Sequence, residues 1–486
     1  MTSRPVNPIT YDRRAMTVGI AHFGVGNFHR SHQAMYLDRL LRDPRHESAT
    51  RTWGICGVGV MESDRRMRDA LNGQDYEYTA IERHPDGRAP ATRVGSIIGF
   101  LHAGDDLDAV IDLLVDPATR IVSLTITEGG YNISDSTGQF DTTNPAVVAD
   151  AEPGAIPSTV FGVVIAGLRR RRARGVPPFT IMSCDNVESN GDVARRSFTS
   201  FAAMVDPELA EWMTSTVSFP NCMVDRITPV TTDQDRAWVT QTYGVDDAWP
   251  VLSEGFTQWV LEDRFPSGRP AWEQVGVQLV HDVRPYEMMK LRLLNASHQG
   301  IAYAGLLAGH HFVHEAACDP TIVRFVRAYM DREASPTLGP VPGVDLPAYK
   351  DQLVERFASA HVRDTLDRLA TDASDRIPKF VVPVIRARRA AGEQAPLCAA
   401  ILAGWTQYAR QCVAGVRPMF VDRQEAAVRA AVERSRTDPV GFLRDHDWFA
   451  DLGDDPVFTA DYLRAIEAFQ ADTVSSALDK IMASQS

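Results

Sequence analysis

Residues 281–300 place Glu287, Lys290, Asn295 and His298 among Met288, Met289, Leu291, Leu293 and Leu294. On a helix advancing about 100° per residue, Lys290, His298 and Asn295 fall at roughly 0°, 80° and 140°, with Glu287 at about 60°. A carboxylate, an ammonium, a carboxamide and an imidazole thus share one face. Such a face is poor core material, because each buried polar group needs a partner. It reads as the lining around a polar ligand, with a solvated surface-helix face as the alternative. Given a dinucleotide cofactor and an alcohol, the chemistry open to these groups is proton transfer. A lysine whose pKa is lowered toward neutrality by burial or by a neighbouring positive charge is present as the free amine, which can take the hydroxyl proton as hydride leaves the carbon. Lys290 suits that task. Carboxamides such as Asn295 and Asn186 can donate to the developing alkoxide. His298 can hold the reacting or an adjacent hydroxyl, and Glu287 can pass the proton to solvent.

A cofactor needs an element to hold it, and residues 17–41 have the right order. An apolar strand from Val18 to Phe23 runs into Gly24-Val25-Gly26, followed by a helical pattern at Ala34, Met35, Leu37, Leu40 and Leu41. Strand, glycine turn and helix form the context of a dinucleotide-binding turn, although His29 replaces the third glycine of GxGxxG. Phe28 belongs to the same turn. His29 and Arg30 would add positive charge beside phosphates, or simply cap the helix. A second strand near 52–58 leads to Glu62 and Asp64, acids placed to hold an adenine ribose and to favour NAD over NADP. Arg65 and Arg66 directly after them blur that preference.

Residues 76–83 and 92–100 read as a pair of inserted strands, Asp105 to Leu114 as a helix, and residues 120–131 as a buried parallel strand ending in Thr127-Glu128-Gly129-Gly130. That glycine pair would let a nicotinamide approach closely, or make a plain tight turn. Thr159 to Arg174 reads as a helix whose arginine run is a solvated C-terminal end. Residues 177–186 form a further strand with Asn186 at its carboxyl end. After Asp282 the pattern becomes helical over 287–309, 320–332, 347–371, 394–413, 423–435 and 455–483. The predicted domains are therefore 1–282, α/β and Rossmann-like with a mostly parallel sheet, and 283–486, mainly α-helical.

With a formal net charge of -13, nucleic acid and anionic membranes are disfavoured partners. Six scattered cysteines without a CxxC pair suit a reducing cytoplasm, and neither a signal peptide nor a run of about 18 apolar residues is evident. His310, His311, His314 and Glu315 lack the HExxH order, so no metal site is expected.

The stretches TVGIAHFGVGNFHRSHQ, SLTITEGGY, SCDN, FPNCMVDRITP and KLRLLNASH, in that order, closely resemble the polyol-specific long-chain dehydrogenases. TPVTT, DDAWPV, FVHE, VRAYMD, PVPGVDL and IPKFVVP extend the likeness to nearly the full length. The resemblance implies metal-independent oxidation of D-mannitol to D-fructose, and the reverse, with NAD as cofactor and NADP as the alternative. It implies Lys290 as general base, Asn186 and Asn295 as oxyanion donors, His298 on a substrate hydroxyl and Glu287 as a gate for proton exchange. Asp225, Arg368 and Arg376 would contact the remaining hydroxyls, Asp64 the adenosine ribose, and the turns at Gly24, Gly26, Thr127 and Gly129 the cofactor. Ser63 stands where some members carry an acid, and Arg376 where some carry lysine. The partner is then a small polyol or ketose, and a monomer fits the family. D-Arabinitol or a broad polyol range, a hexuronate, and a non-catalytic NAD-binding protein are the alternatives.

Overall fold

The computed structural model describes residues 3–134 and 138–483, which divide into two compact units, Met1–Arg284 and Pro285–Ser486. In the first unit the strands are β1 (Val6–Asn7), β2 (Val18–Phe23), β3 (Gly54–Gly59), β4 (Tyr78–Arg83), β5 (Ala91–Val94) and β6 (Ile97–His102). They continue with β7 (Ile121–Leu124), β8 (Thr180–Ser183), β9 (Cys222–Asp225), β10 (Val251–Glu254), β11 (Gln258–Glu262) and β12 (Gln278–Val280). A five-stranded sheet runs in the order β6-β3-β2-β7-β8, with every pairing parallel. Its strands are buried on both faces, which is why they read as continuous apolar runs. Alternation along β2 sends Ile20 into one core and Ala21 and Phe23 into the other. Helices Leu107–Val115, Val160–Arg174 and Asn190–Val205 cover the second core, and Gln33–Arg42 the first. This is the Rossmann-like arrangement expected.

Several expectations need correction here. The stretch 92–100 is not one strand paired with residues 76–83. It splits at Gly95, sending β5 antiparallel to β4 in a second sheet of order β1-β5-β4-β10, and β6 parallel to β3 in the main sheet. The cause is local: the Gly95 N–H donates to Asp38 Oδ1 at 3.1 Å, and its carbonyl accepts from Arg13 Nε at 3.1 Å. The arginine run after residue 168 is not wholly solvated either. Arg171 is buried and donates to the carbonyls of Leu114 and Pro177, both at 2.6 Å, while Gly175, at φ 66°, ends the helix. The predicted helical stretches 347–371 and 455–483 are each two helices, Leu346–Phe357 and Leu366–Ala370 in the one, Pro456–Ala471 and Val474–Ala483 in the other.

The second unit is helical throughout its core, from Arg284–Met289 to Val474–Ala483. Pro396–Val413 is its central helix, buried along most of its length and capped at its N-terminus by Glu333, which accepts from the N–H groups of Leu397 (2.7 Å) and Cys398 (2.8 Å). Among the described residues, no helix is long and apolar enough to cross a membrane.

Candidate active site

In the first unit, the carboxyl ends of β2, β7 and β8 surround a cleft of about 390 Å³. Gly24, Gly26, Phe28 and His29 line one side, Thr127 and Glu128 another, and Cys184 to Val187 a third. Gly24 is dictated by the fold: its φ is +86°, and a Cβ there would sit 2.1 Å from the Thr125 carbonyl oxygen. Gly26 is different. A Cβ on it would meet only the Gly24 oxygen, at 3.8 Å, and a Cβ on Gly129 would meet nothing within 4 Å. Both glycines therefore leave open space, which is what close approach of a ligand needs.

Beneath the turn lies a buried histidine pair. The His22 and His29 rings stack with centroids 3.4 Å apart. His22 lies 2.8 Å from Ser123 Oγ and 3.0 Å from Thr125 Oγ1, and the Thr125 hydroxyl donates to the Gly24 carbonyl at 2.6 Å. Burial pushes the His22 pKa down to about 3. The His29 pKa is held well below the usual value by burial, then by His22, Arg30 and His32. His29 is therefore neutral, which corrects the expectation of positive charge at this position. Arg30 is corrected too: it is fully buried over the Tyr78 ring and donates to the Trp249 carbonyl and to Asn27 Oδ1 (2.6 Å), so its charge is used inside the unit.

Asp64 opens the helix after β3, and its Oδ2 accepts from the N–H groups of Val60 (3.0 Å) and Met61 (2.9 Å). The neighbouring cations are all engaged. Arg65 and Arg68 pair with Asp105, and Arg66 lies over the Trp249 ring at 4.6 Å.

Thr127 has φ 65° and ψ 166°, a conformation for which a β-branched residue pays on the order of 1–3 kcal/mol. Sequence reasoning missed the group that holds it. Asp185 Oδ1 accepts from the Thr127 N–H at 2.9 Å, and Oδ2 from the Ile126 N–H at 3.0 Å and the Tyr131 hydroxyl at 2.7 Å. Burial nevertheless raises the Asp185 pKa, with Tyr131 and the two N–H donors opposing it. The detectable signal was an acid directly after the apolar run TIMSC. Asn190 ties the neighbouring strand in: its Nδ2 donates to the carbonyls of Asp185 (3.0 Å) and Cys222 (2.9 Å), and its Oδ1 accepts from the Cys222 N–H at 2.9 Å. Asn186 lines the cleft, while Asp225 is buried at the end of β9.

In the second unit, Glu287, Lys290, Asn295 and His298 are 6%, 6%, 8% and 9% exposed, so a solvated face is excluded. The helix that carries them is not uniform. Lys290–Asn295 is a π-helix, in which the Ala296 N–H donates to the Leu291 carbonyl five residues back. The wider turn advances only roughly 80° per residue, which moves Asn295 from about 140° to about 40° from Lys290. Lys290 and Asn295 thereby come close to the same line along the helix. The looser ladder is supported from outside: the buried Tyr329 hydroxyl donates to the Arg292 carbonyl at 2.9 Å, and Arg292 Nη1 donates to the Thr337 carbonyl at 2.6 Å. In the sequence Tyr329 stood only within the family-like stretch VRAYMD, with no sign of this role. The His298 ring packs on Phe357, with centroids 4.7 Å apart. Arg376 donates to the Leu369 carbonyl at 3.0 Å, which also accepts from Gln299, beside His298 in sequence, at 3.2 Å. Arg368 is clasped by Asp364.

The chain matches the profile of the mannitol dehydrogenase Rossmann domain over residues 18–274 and that of the mannitol dehydrogenase C-terminal domain over 282–470. It is 42% identical to a mannitol 2-dehydrogenase of Cereibacter sphaeroides over 483 residues, covering 99% of this chain and all of the relative. Among solved structures it resembles the ternary complex of Pseudomonas fluorescens mannitol 2-dehydrogenase with NAD and D-mannitol (43% identity, TM-score 0.86, 98% of this chain and 97% of that one). It also resembles a substrate-free D-sorbitol dehydrogenase (35% identity, TM-score 0.89, 97% of each chain). From its glycine turn to its polar helix, the chain belongs to the mannitol dehydrogenase family of oxidoreductases.

Proposed function

We infer that the protein oxidises D-mannitol to D-fructose with NAD, and runs the reverse reaction. The observation that carries this reading is the buried Lys290, brought into line with Asn295 by the π turn and followed by His298 on the same helix. A buried amine, a carboxamide and an imidazole match the needs of a secondary alcohol losing hydride: a base, an oxyanion donor and a hydroxyl anchor. Lys290 takes the hydroxyl proton. Asn295 and Asn186 donate to the oxygen as its charge grows, His298 orients the hydroxyl, and Glu287 returns the proton to water. Asp225, Arg368 and Arg376 serve the remaining hydroxyls. NAD, when bound, accepts the hydride. The open space at Gly26 and Gly129 suits that cofactor, with Asp64 at the adenosine ribose and Phe28 and Thr127 against the remainder. In this reading the predicted domain 1–282, which falls inside the first unit, binds the dinucleotide, and the predicted domain 283–486, which contains the second unit, supplies the base.

Purified protein with NAD and D-mannitol should produce NADH, and Lys290→Ala should lower kcat by on the order of 10² or more. Full turnover by that variant would remove Lys290 from the mechanism. A second reading, a broad polyol range, draws on the likeness to D-sorbitol dehydrogenase. Relative kcat/KM for mannitol, sorbitol, arabinitol, fructose and fructuronate decides between them.

A further inference from the structure

We propose that Asp185 is a positioning residue that holds the Thr127 turn in its cofactor-binding shape and sets that turn against Asn186. The proposal rests on the reading of the cleft as the cofactor site. Asp185 is 8% exposed and directly precedes Asn186 at the end of β8, while its two oxygens accept from the N–H groups of Ile126 and Thr127 beyond β7. A third donor, the Tyr131 hydroxyl, is itself held 2.5 Å from Ser183 Oγ, at the last residue of β8. These three donors are neutral, so the buried carboxylate attracts two successive peptide N–H groups without an ion pair to one of them. That is the arrangement needed to keep a threonine at φ 65°, where unassisted threonine does not stay. Thr127 and Asn186 both line the cleft. One side chain, itself part of the cleft lining, therefore bridges the two loops whose spacing a bound nicotinamide would sense.

The test is a cycle of Asp185→Asn and Thr127→Gly, read by NAD titration calorimetry and by steady-state kinetics with the full-length protein. Asp185→Asn turns an amide N–H₂ toward a backbone N–H and should weaken NAD binding by roughly 10- to 100-fold, as expected for loss of a charge-assisted bond. Glycine adopts φ 65° without strain, so Thr127→Gly added to Asp185→Asn should recover about threefold or more of that loss. In the parent protein the same substitution should give no gain. A merely structural Asp185 would produce the opposite pattern, with two destabilising changes adding. NAD binding by Asp185→Asn within about twofold of the parent, or no recovery in the double variant, overturns the proposal. Should the single variant fail to fold, the double variant carries the comparison: it should fold and bind NAD within about 30-fold of the parent, and its failure to do so also overturns the proposal. Hydrogen exchange at the Ile126 and Thr127 amides, measured without NAD, should accelerate in Asp185→Asn. This readout separates the two claims, because a parent protein that binds no NAD would sink the cofactor reading, while unchanged exchange would sink the role of Asp185.

Discussion

The Thr127 turn and the Lys290 helix solve one problem by opposite means. Each depends on an uncommon backbone arrangement: a β-branched residue at positive φ in the first unit, a helix turn closed by five-residue hydrogen bonding in the second. In the first, the unusual conformation is held by a buried carboxylate pulling on peptide N–H groups. In the second, it is held by a neutral hydroxyl donating to a carbonyl of the widened ladder, inside a packed helical core. The difference follows from what each region presents. A turn offers backbone groups to a ligand, so its shape needs a strong, short-range restraint. A helix offers side chains, so a small change of pitch is enough, and surrounding packing supplies most of the restraint.

Substitutions in the two regions should therefore leave different kinetic signatures. The largest effect is that of Lys290→Ala, where kcat should fall by on the order of 10² or more while calorimetric NAD affinity stays close to the parent value. A comparable loss of NAD affinity would erase the distinction. Next in size, Asp64→Ala should shift the ratio of kcat/KM for NAD over NADP by roughly tenfold toward NADP, because a like charge facing a 2′-phosphate is removed. Turnover at saturating NAD should be unchanged. Smaller again, Tyr329→Phe deletes one hydrogen bond to Arg292 and should lower kcat by about fivefold, with little change in NAD affinity. A variant equal to the parent would leave the π turn sustained by packing alone.

The smallest effect on catalysis belongs to the histidine pair, which instead sharpens the stability side of the comparison. His22 and His29 have folded-state pKa values depressed by burial, so the unfolded chain binds protons that the folded one refuses. Their contribution to stability is complete above the unfolded value of about 6.5 and is lost as pH falls below it, by about 1.4 kcal/mol per pH unit for each ring. His29→Phe keeps a stacked ring and removes one titration. The fall in unfolding free energy between pH 6.5 and 5, measured in urea, should therefore be shallower by about that one increment.

The positions of these features in the chain show what could be read in advance. The parallel sheet was legible because fully buried strands announce themselves as apolar, β-branched runs. Gly24 was legible because a strand-to-helix corner at φ +86° tolerates little else. The split at Gly95 was not, since it depends on Asp38 and Arg13, side chains brought in from elsewhere. His29 and Arg30 looked like phosphate-side cations until their burial against His22 and Tyr78 was known. A position in sequence does not tell whether a polar group faces a ligand or a neighbour's carbonyl.

By itself, the order of residues determined which groups share the polar helix, where the glycine turn falls and which family the motifs resemble. These follow from local spacing and backbone sterics, which act over a few residues. Only the tertiary structure decided that the helix widens between Lys290 and Asn295, that Asp185 reaches back to Thr127, and that Arg30 spends its charge inside the unit. Each of those outcomes depends on a partner 37 or more residues away, as from Tyr329 to Arg292, and no local pattern encodes a contact of that range.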